Sequence, residues 1–237
     1  MIPESILNSF PEEKRKALSE AFDNGLNAMM IGSYPVLYFG NLPDVRNVLI
    51  ASFSHSGECV YSELYVSALE ASLMGYGIIT EADHGGMSSV LRGAEDGNGK
   101  LFLVSALGIA TYREKYREKM IRIMLTGGAV LSTTLDGYDR RGARELSAYL
   151  ASEALIAVGG DKGRDDSIVQ MFLDSGKDAA IVRSSLTSPA GRSLFLSGCP
   201  VVSSFSAALE SPSVIVYESE GGRFSFMGKE YEACTIH

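Results

Sequence analysis

The sequence predicts an α/β protein, with a three-layer α/β/α arrangement around a mostly parallel sheet and a short N-terminal helical lead-in. Two observations carry this prediction. Short apolar runs alternate with helical runs through roughly six units, as expected for parallel strands joined by crossover helices. Several strand-like runs are apolar at every position, so both faces of the sheet should be buried.

Two segments precede the alternating units. Residues 11–24 begin with a proline followed by acids, which suits the first turn of a helix. The aromatic stretch 31–45 is interrupted by Pro35, Gly40 and Pro43, so we expect a short extended arm that leads into the sheet.

The alternating units follow from residue 47 onward. In the first helix, Leu64, Ala68 and Ala71 form one apolar stripe. The strand-like runs are 47–52, 76–80, 100–106, 129–133, 154–160 and 178–184. The helical runs are 61–75, 85–96, 111–127, 140–153, 165–177 and 189–198.

The long helical run 111–127 carries many charges and a tyrosine stripe. Its basic residues are offset by Glu114 and Glu118, so most of its charges are expected on a solvated face with local ion pairs. Tyr112 and Tyr116 share a face with two apolar residues, and we expect this face to pack in the core.

The C-terminal stretch 213–237 has the pattern of strands joined at Gly221–Gly222. No internal repeat, low-complexity segment or long linker interrupts the chain. We therefore predict a helical lead-in over 1–33 and one domain over 34–237 that ends in a strand extension.

Composition restricts the classes of partner. The net charge of −8 and pI near 5.0 argue against broad electrostatic binding to nucleic acid, although a local basic cleft is compatible with them. The three cysteines, Cys59, Cys199 and Cys234, show no metal-ligand spacing and indicate free thiols in a reducing compartment. We expect a cytoplasmic protein without membrane attachment, metal or cofactor.

Right-handed crossovers place the turns after each strand at one edge of the sheet, where a ligand site is expected. The turn 51–58 is rich in small and hydroxyl residues that can present N–H groups to an anion, or it is a surface loop. In the next turn, Asp83 and His84 suit either an acid–base pair or a polar, ligand-lining turn. Gly85 and Gly86 suit unusual backbone angles or a close backbone approach.

Two further turns carry basic residues. Arg140, Arg141 and Arg144 cluster at a helix start, either to hold phosphate or as a solvated charge run. The turn VGGDKGRDDS (158–167) resembles a phosphate loop but lacks the Walker spacing, and its aspartates can instead cap the next helix.

Taken in order, these segments resemble the DprA/Smf family of DNA-processing proteins. The resemblance covers about residues 34–208. It is carried by YPVLYFGNL (34–42), LIASFSHS (49–56), IITEADHGGMSSVLRGA (78–94), YREKMIRIMLTGGAVLST (116–133), RGARELSAYLASEALIAVGG (141–160) and SSLTSPAGRSLFLSGCPVV (184–202).

The resemblance implies an extended Rossmann-like core that binds single-stranded DNA and acts in natural transformation and DNA recombination. It also implies a homodimer and a RecA-type recombinase as partner, with no catalytic residue. Phe53 and His84 stand where the family has arginines, and His84 gains charge at low pH. The expected ligand- or DNA-binding residues are Ser52, Phe53, His84, Gly85, Arg92, Arg140, Arg141, Arg144, Gly160, Lys162 and Arg164.

Two alternatives use the same sheet edge. The VGGDKG turn is similar to the loop of the lysine-decarboxylase-like phosphoribohydrolases, which would make the protein a nucleotide-processing enzyme with Glu81 or Asp83 as acid. The other alternative is a module that senses a nucleotide without turning it over.

Overall fold

The computed structural model describes residues 25–52, 58–81, 86–159 and 166–210, the strand segments 223–226 and 229–232, and isolated positions before residue 16. These parts of the chain contain eleven strands and eight α-helices. The strands are β1 (Asn27–Ile31), β2 (Tyr34–Gly40), β3 (Asn47–Ser52), β4 (Gly77–Glu81), β5 (Leu101–Val104), β6 (Ala129–Ser132), β7 (Glu153–Ala157), β8 (Asp178–Val182), β9 (Val201–Val202), β10 (Arg223–Phe226) and β11 (Lys229–Glu232). The helices are α1 (Glu58–Leu73), α2 (Met87–Asp96), α3 (Ile109–Lys115), α4 (Arg117–Leu125), α5 (Arg140–Leu150), α6 (Asp166–Asp174), α7 (Pro189–Leu196) and α8 (Phe205–Glu210), with a 3-10 helix at Arg183–Thr187.

Nine of the strands form one sheet in the order β1-β2-β6-β5-β4-β3-β7-β8-β9. Strands β3 to β9 run parallel, while β2 pairs antiparallel with β6 and β1 pairs antiparallel with β2. From β3 the chain winds outward through β4, β5 and β6, and then returns to place β7 on the other side of β3. The winding direction therefore reverses between β3 and β7, and in sheets of this kind ligands bind at the carboxyl ends of such a strand pair.

The sheet is buried on both faces, as its apolar strands predict. Along β3, Val48 and Ile50 belong to one core cluster, whereas Leu49 and Ala51 belong to the other. This alternation follows from the two-residue period of a strand. Helices α1 to α4 and α8 cover the first face, and α5, α6 and α7 cover the second. The three-layer α/β/α arrangement with a mostly parallel sheet is therefore confirmed.

The predicted helical stripe on α1 is also confirmed. Leu64, Ala68 and Ala71 are fully buried against the first face of the sheet. Ala68 also lies under Gly93 of α2, because a Cβ atom built on Gly93 would meet the Ala68 Cβ at 2.9 Å. Small residues at this crossing let the two helices approach closely.

The long helical run 111–127 was predicted as one helix, which is wrong. The backbone breaks at Tyr116, whose φ of −130° and ψ of 36° are not helical, and α3 and α4 meet there. Tyr112 is buried, but Tyr116 is 43% exposed, so the prediction that both tyrosines lie in the core holds only for Tyr112. The ring of Tyr116 instead packs on the edge of the core against Tyr112, with centroids 5.1 Å apart.

The N-terminal part of the sheet differs from the expected extended arm. Residues 34–40 form β2 and join the sheet beside β6. Strand β1 lies within the predicted lead-in 1–33, so the sheet begins before residue 34. The helix predicted over 11–24 falls almost wholly outside the described residues.

Near the C-terminus, β10 and β11 form a separate two-stranded antiparallel sheet. Residues 227 and 228 lie between the two strands in sequence, and the predicted junction at Gly221–Gly222 lies outside the described residues. In the part of the chain that the structure describes, no helix has the length and apolar character needed to cross a membrane.

Candidate nucleic-acid interface

The candidate site lies at the carboxyl ends of β4, β3 and β7. Ser52 ends β3 with 1% exposure, and Glu81 ends β4 with 4% exposure. The three turns that follow these strands include residues 53–57, 82–85 and 160–165, which are outside the described residues. Six predicted site residues therefore have no described position: Phe53, His84, Gly85, Gly160, Lys162 and Arg164.

The ends of the turns after β3 and β4 pack against each other. A Cβ atom built on Gly86 would meet the Ser52 Cβ at 3.2 Å and the Leu64 Cδ1 at 2.5 Å. The φ of Gly86 is −71°, which any residue adopts, so this position requires glycine for close approach and not for an unusual angle. The structure thus places Ser52 against Gly86, the residue that follows Gly85 in the sequence.

The loops after β5 and β6 are joined to each other by backbone hydrogen bonds. The N–H groups of Ile109 and Ala110 donate to the carbonyl oxygens of Thr134 and Leu135, at 3.0 and 2.9 Å. These two groups begin α3, where free donors would otherwise attract an anion. Because they are already bonded, the start of α3 offers little to a phosphate, and the candidate site is confined to β4, β3 and β7.

Helix α5 begins at the same edge of the sheet, and Asp139 fixes its first turn. One carboxylate oxygen of Asp139 accepts from the Gly142 N–H at 2.8 Å, and the other accepts from the Thr133 hydroxyl at 2.8 Å. An aspartate at this position satisfies a helix donor and offsets the helix dipole. It therefore also compensates the unfavourable placement of Arg140 and Arg141 in the first turn.

The three arginines of α5 have different surroundings. Arg144 is half-buried, and its guanidinium donates to the Ser167 hydroxyl at 3.0 Å. Ser167 lies in the first turn of α6, the helix that follows β7. Arg144 therefore lies at the start of α6, the helix that follows β7. This position suits a phosphate contact, since an arginine fork binds phosphate oxygens well.

Arg141 is bound within the protein. Its Nε donates to a Glu145 oxygen at 2.8 Å, and the Tyr34 hydroxyl donates to the other oxygen at 2.6 Å. The hydrogen bond from Tyr34 and then the one from Arg141 lower the pKa of Glu145, and the bond to Glu145 raises the pKa of Tyr34. A phosphate at Arg141 would compete with this carboxylate. Arg140, by contrast, has no hydrogen bond or ion pair from its side chain to another described residue.

Arg92 lies on the outer surface, halfway along α2. Its Nε is 3.7 Å from Asp96, and its guanidinium lies 5.9 Å from the ring centroid of Tyr65 on α1. The structure therefore separates Arg92 from the arginines of α5, which lie on the other face of the sheet. It lines a groove of about 480 Å³ between α1 and α2.

Sequence reasoning missed a group of serines that holds the end of β7. The Val158 N–H donates to the Ser185 hydroxyl at 2.9 Å, and the Ser188 hydroxyl lies 3.2 Å from the Val158 carbonyl oxygen. Ser188 also accepts from the Gly191 N–H at 3.0 Å and so caps α7. The sequence signal was a serine directly before proline, which marks a helix start.

A second group of hydrogen bonds lies at the same edge of the sheet. Glu63 of α1 accepts from the backbone N–H of Ser184 and from its hydroxyl. This contact ties the helix after β3 to the segment after β8 and spans the end of β7. The serine contacts of Val158 and the contact between Glu63 and Ser184 together hold the segments around the end of β7 in place.

The remaining chemistry of the described residues is sparse. They contain no cluster of histidine, cysteine, aspartate and glutamate that would hold a metal ion. Cys199 is buried, and desolvation raises the pKa of its thiol to about 12, so it is not a nucleophile at neutral pH. The nucleotide-processing alternative rests on the VGGDKG turn, and this turn lies outside the described residues from Gly160 onward.

Comparison with known proteins gives structural matches only. The sequence matches no family profile and no curated protein. The fold matches the X-ray structure of DNA processing protein A (DprA) from Streptococcus pneumoniae, with a TM-score of 0.62 and 12% identity over 85% of this chain and 81% of that one. It also matches DprA from Helicobacter pylori, with a TM-score of 0.61 and 14% identity over 76% of this chain and 92% of that one. The Helicobacter pylori structure concerns the single-stranded DNA binding mode of that protein.

These matches confirm the predicted extended Rossmann-like fold of the DprA type. They cover most of each chain, so the correspondence involves the whole sheet and not one βαβ unit. At this level of identity they concern the fold, and the roles of individual residues have to come from the chemistry of the site.

Proposed function

We propose that this protein is a divergent DprA-like protein that binds single-stranded DNA at the carboxyl ends of β4, β3 and β7. The observation that carries the proposal is the position of Arg144. Its guanidinium lies against the first turn of α6, the helix that follows β7, in a fold whose structural matches include a DprA studied for its single-stranded DNA binding. No bond chemistry is required, so the protein acts as a binding module.

The binding is local, because the chain is acidic overall. A net charge of −8 repels DNA at long range, and only a cluster of cations at close range can offset it. Arg140 and Arg144 both lie on α5, the helix that begins at this edge, and the Arg144 guanidinium donates to the Ser167 hydroxyl at the start of α6. From the sequence, His84, Lys162 and Arg164 would complete the phosphate contacts on the turns beside them.

The biological role that we propose follows from the family resemblance. The protein would act in DNA uptake or in loading a RecA-type recombinase onto single strands, as a homodimer in the cytoplasm. A pull-down with a RecA-type recombinase in the presence and absence of single-stranded DNA addresses this role separately from DNA binding.

A fluorescence-anisotropy titration with labelled oligo-dT at low salt tests the DNA binding. The double variant Arg140→Gln/Arg144→Gln should bind more weakly, and its dependence of log K on log salt should fall by roughly 0.7 for each lost phosphate contact. The matched control is Lys100→Gln/Arg122→Gln, which removes two exposed cations whose partners are Asp44 and Glu95. Equal affinity of the two double variants would contradict the proposal.

A further inference from the structure

The groove between α1 and α2 is lined mainly by tyrosines and serines, whereas the proposed phosphate site consists of basic residues. Tyr61, Ser62 and Tyr65 line it from α1, and Ser88, Ser89 and Arg92 line it from α2. Both helices begin at the carboxyl edge of the sheet, so the groove lies on the side of the sheet where β3 and β4 end. It contains aromatic rings, hydroxyls and one cation, and no carboxylate is among the described residues that line it.

The aromatic side chains are partly exposed and set one helical turn apart. Tyr61 and Tyr65 are each half-buried, so one part of each ring is open to the groove. Four residues along a helix correspond to about 6 Å, which places both rings along the same wall. Aromatic rings arranged in this way are how proteins that bind single strands hold bases without reading sequence.

Tyr65 and Arg92 are held in place by a shared partner. The Tyr65 hydroxyl donates to Asp96 Oδ2 at 2.8 Å, and the Arg92 Nε lies 3.7 Å from the same oxygen. The guanidinium consequently lies over the Tyr65 ring, 5.9 Å from its centroid. Asp96 neutralises part of the charge of Arg92, so the planar groups at this end of the groove favour stacking over phosphate binding.

Glu63, the acid nearest in sequence to Tyr61 on α1, is directed elsewhere. Its carboxylate accepts from the N–H and hydroxyl of Ser184, on the other side of α1 from the groove lining. The serine hydroxyls in the groove remain as donors and acceptors for base edges.

We propose that this groove holds the bases of a bound single strand by stacking on Tyr61 and on the Tyr65–Arg92 pair. The proposal rests on the proposed function, and it assigns affinity to bases in addition to phosphates.

The absence of tryptophan from the chain provides a direct probe. In the variant Tyr61→Trp the only tryptophan lies in the groove, and oligo-dT should quench its fluorescence saturably, whereas an abasic strand of equal length should quench it much less. The control Tyr149→Trp places the reporter on an exposed position of α5, and neither strand should quench it.

Affinity provides the second readout. Replacing Tyr61 with alanine should weaken oligo-dT binding by about 5- to 150-fold, while Tyr61→Phe, which keeps the ring, should bind like the parent. Binding of the abasic strand should be the same for all three proteins. Melting curves show whether each variant is folded, and Tyr61→Trp decides the question if the alanine variant is not.

The outcomes separate the two proposals. If the parent binds oligo-dT with dependence on Arg140 and Arg144 but Tyr61→Ala binds equally well and Tyr61→Trp is not quenched, the base groove is overturned and the DNA-binding function stands. If the parent binds neither strand, the proposed function fails and the base groove fails with it.

Discussion

At the residue scale, the Glu145 carboxylate determines what the arginines of α5 can do. It accepts from Tyr34 on β2 and from Arg141 on its own helix, and so ties the N-terminal hairpin to the second face of the sheet. Charged hydrogen bonds of this kind are stronger than neutral ones, although exposure to solvent weakens them here. Arg141 therefore has a structural role, and Arg144 is the arginine of this helix that contacts the start of α6, the helix after β7.

Removing the Tyr34 hydroxyl should destabilise the fold in a pH-dependent way, because its hydrogen bond to Glu145 is lost. The pKa of Glu145 is lower in the folded protein, so its hydrogen bonds stabilise the fold above the unfolded pKa near 4.5, and this stability is lost as pH falls through the lower folded value. We expect Tyr34→Phe to reduce the free energy of unfolding by about 1 kcal/mol at pH 7 and by less below pH 4. Urea denaturation at several pH values measures both quantities.

Tyr38→Phe on the same strand is the matched control, because the Tyr38 hydroxyl has no partner among the described residues. It should leave the free energy of unfolding nearly unchanged at each pH. Two results would show that the hydrogen bond between Tyr34 and Glu145 does not stabilise the fold. One is a Tyr34→Phe variant as stable as the parent at pH 7. The other is a loss of unfolding free energy that becomes larger at acidic pH.

The arginine surroundings could not be predicted from the sequence. Tyr34 and Glu145 are 111 residues apart, and no local pattern links them. Similarly, Glu63 and Ser184 are 121 residues apart. Local chemistry placed the arginine cluster at a helix start, but tertiary contacts tie Arg141 and Glu145 to Tyr34 and bring Arg144 against Ser167.

At the element scale, the start of α5 is set by Asp139, and its cap should be measurable. Asp139→Ala should reduce the free energy of unfolding by about 0.5 to 2 kcal/mol, because it removes the acceptor for the Gly142 N–H and the partner of the Thr133 hydroxyl. Urea denaturation measures the loss. Asp139→Asn keeps an acceptor oxygen and should lose less. Equal stability of the alanine and asparagine variants would argue against a capping role.

Elements with a strong period were predicted, and those without one were not. The stripe Leu64–Ala68–Ala71 and the apolar run of β3 carry clear helical and strand signals. Strand β1 was missed, because NAMMI has neither alternation nor β-branched enrichment and forms only by pairing with β2. The break at Tyr116 was missed because glutamates and lysines on both sides favour a continuous helix.

At the scale of the whole molecule, the topology places the candidate site. Strand–helix alternation predicted a parallel sheet and, with right-handed crossovers, one ligand edge. It did not predict that the loops after β5 and β6 close on each other, since that depends on backbone hydrogen bonds between separate turns. The closure removes two strands from the candidate interface and concentrates binding where the winding reverses.

The central claim is that single-stranded DNA binds at the carboxyl ends of β4, β3 and β7. Amide hydrogen exchange of the whole chain with and without oligo-dT tests it most directly, because protection reports which turns the strand covers. We predict slower exchange in segments 53–57, 82–85 and 160–165 and at the start of α5, and no change at the opposite edge of the sheet around Lys100 and Ser152. Protection confined to that opposite edge, or no protection at saturating oligo-dT, would contradict the account.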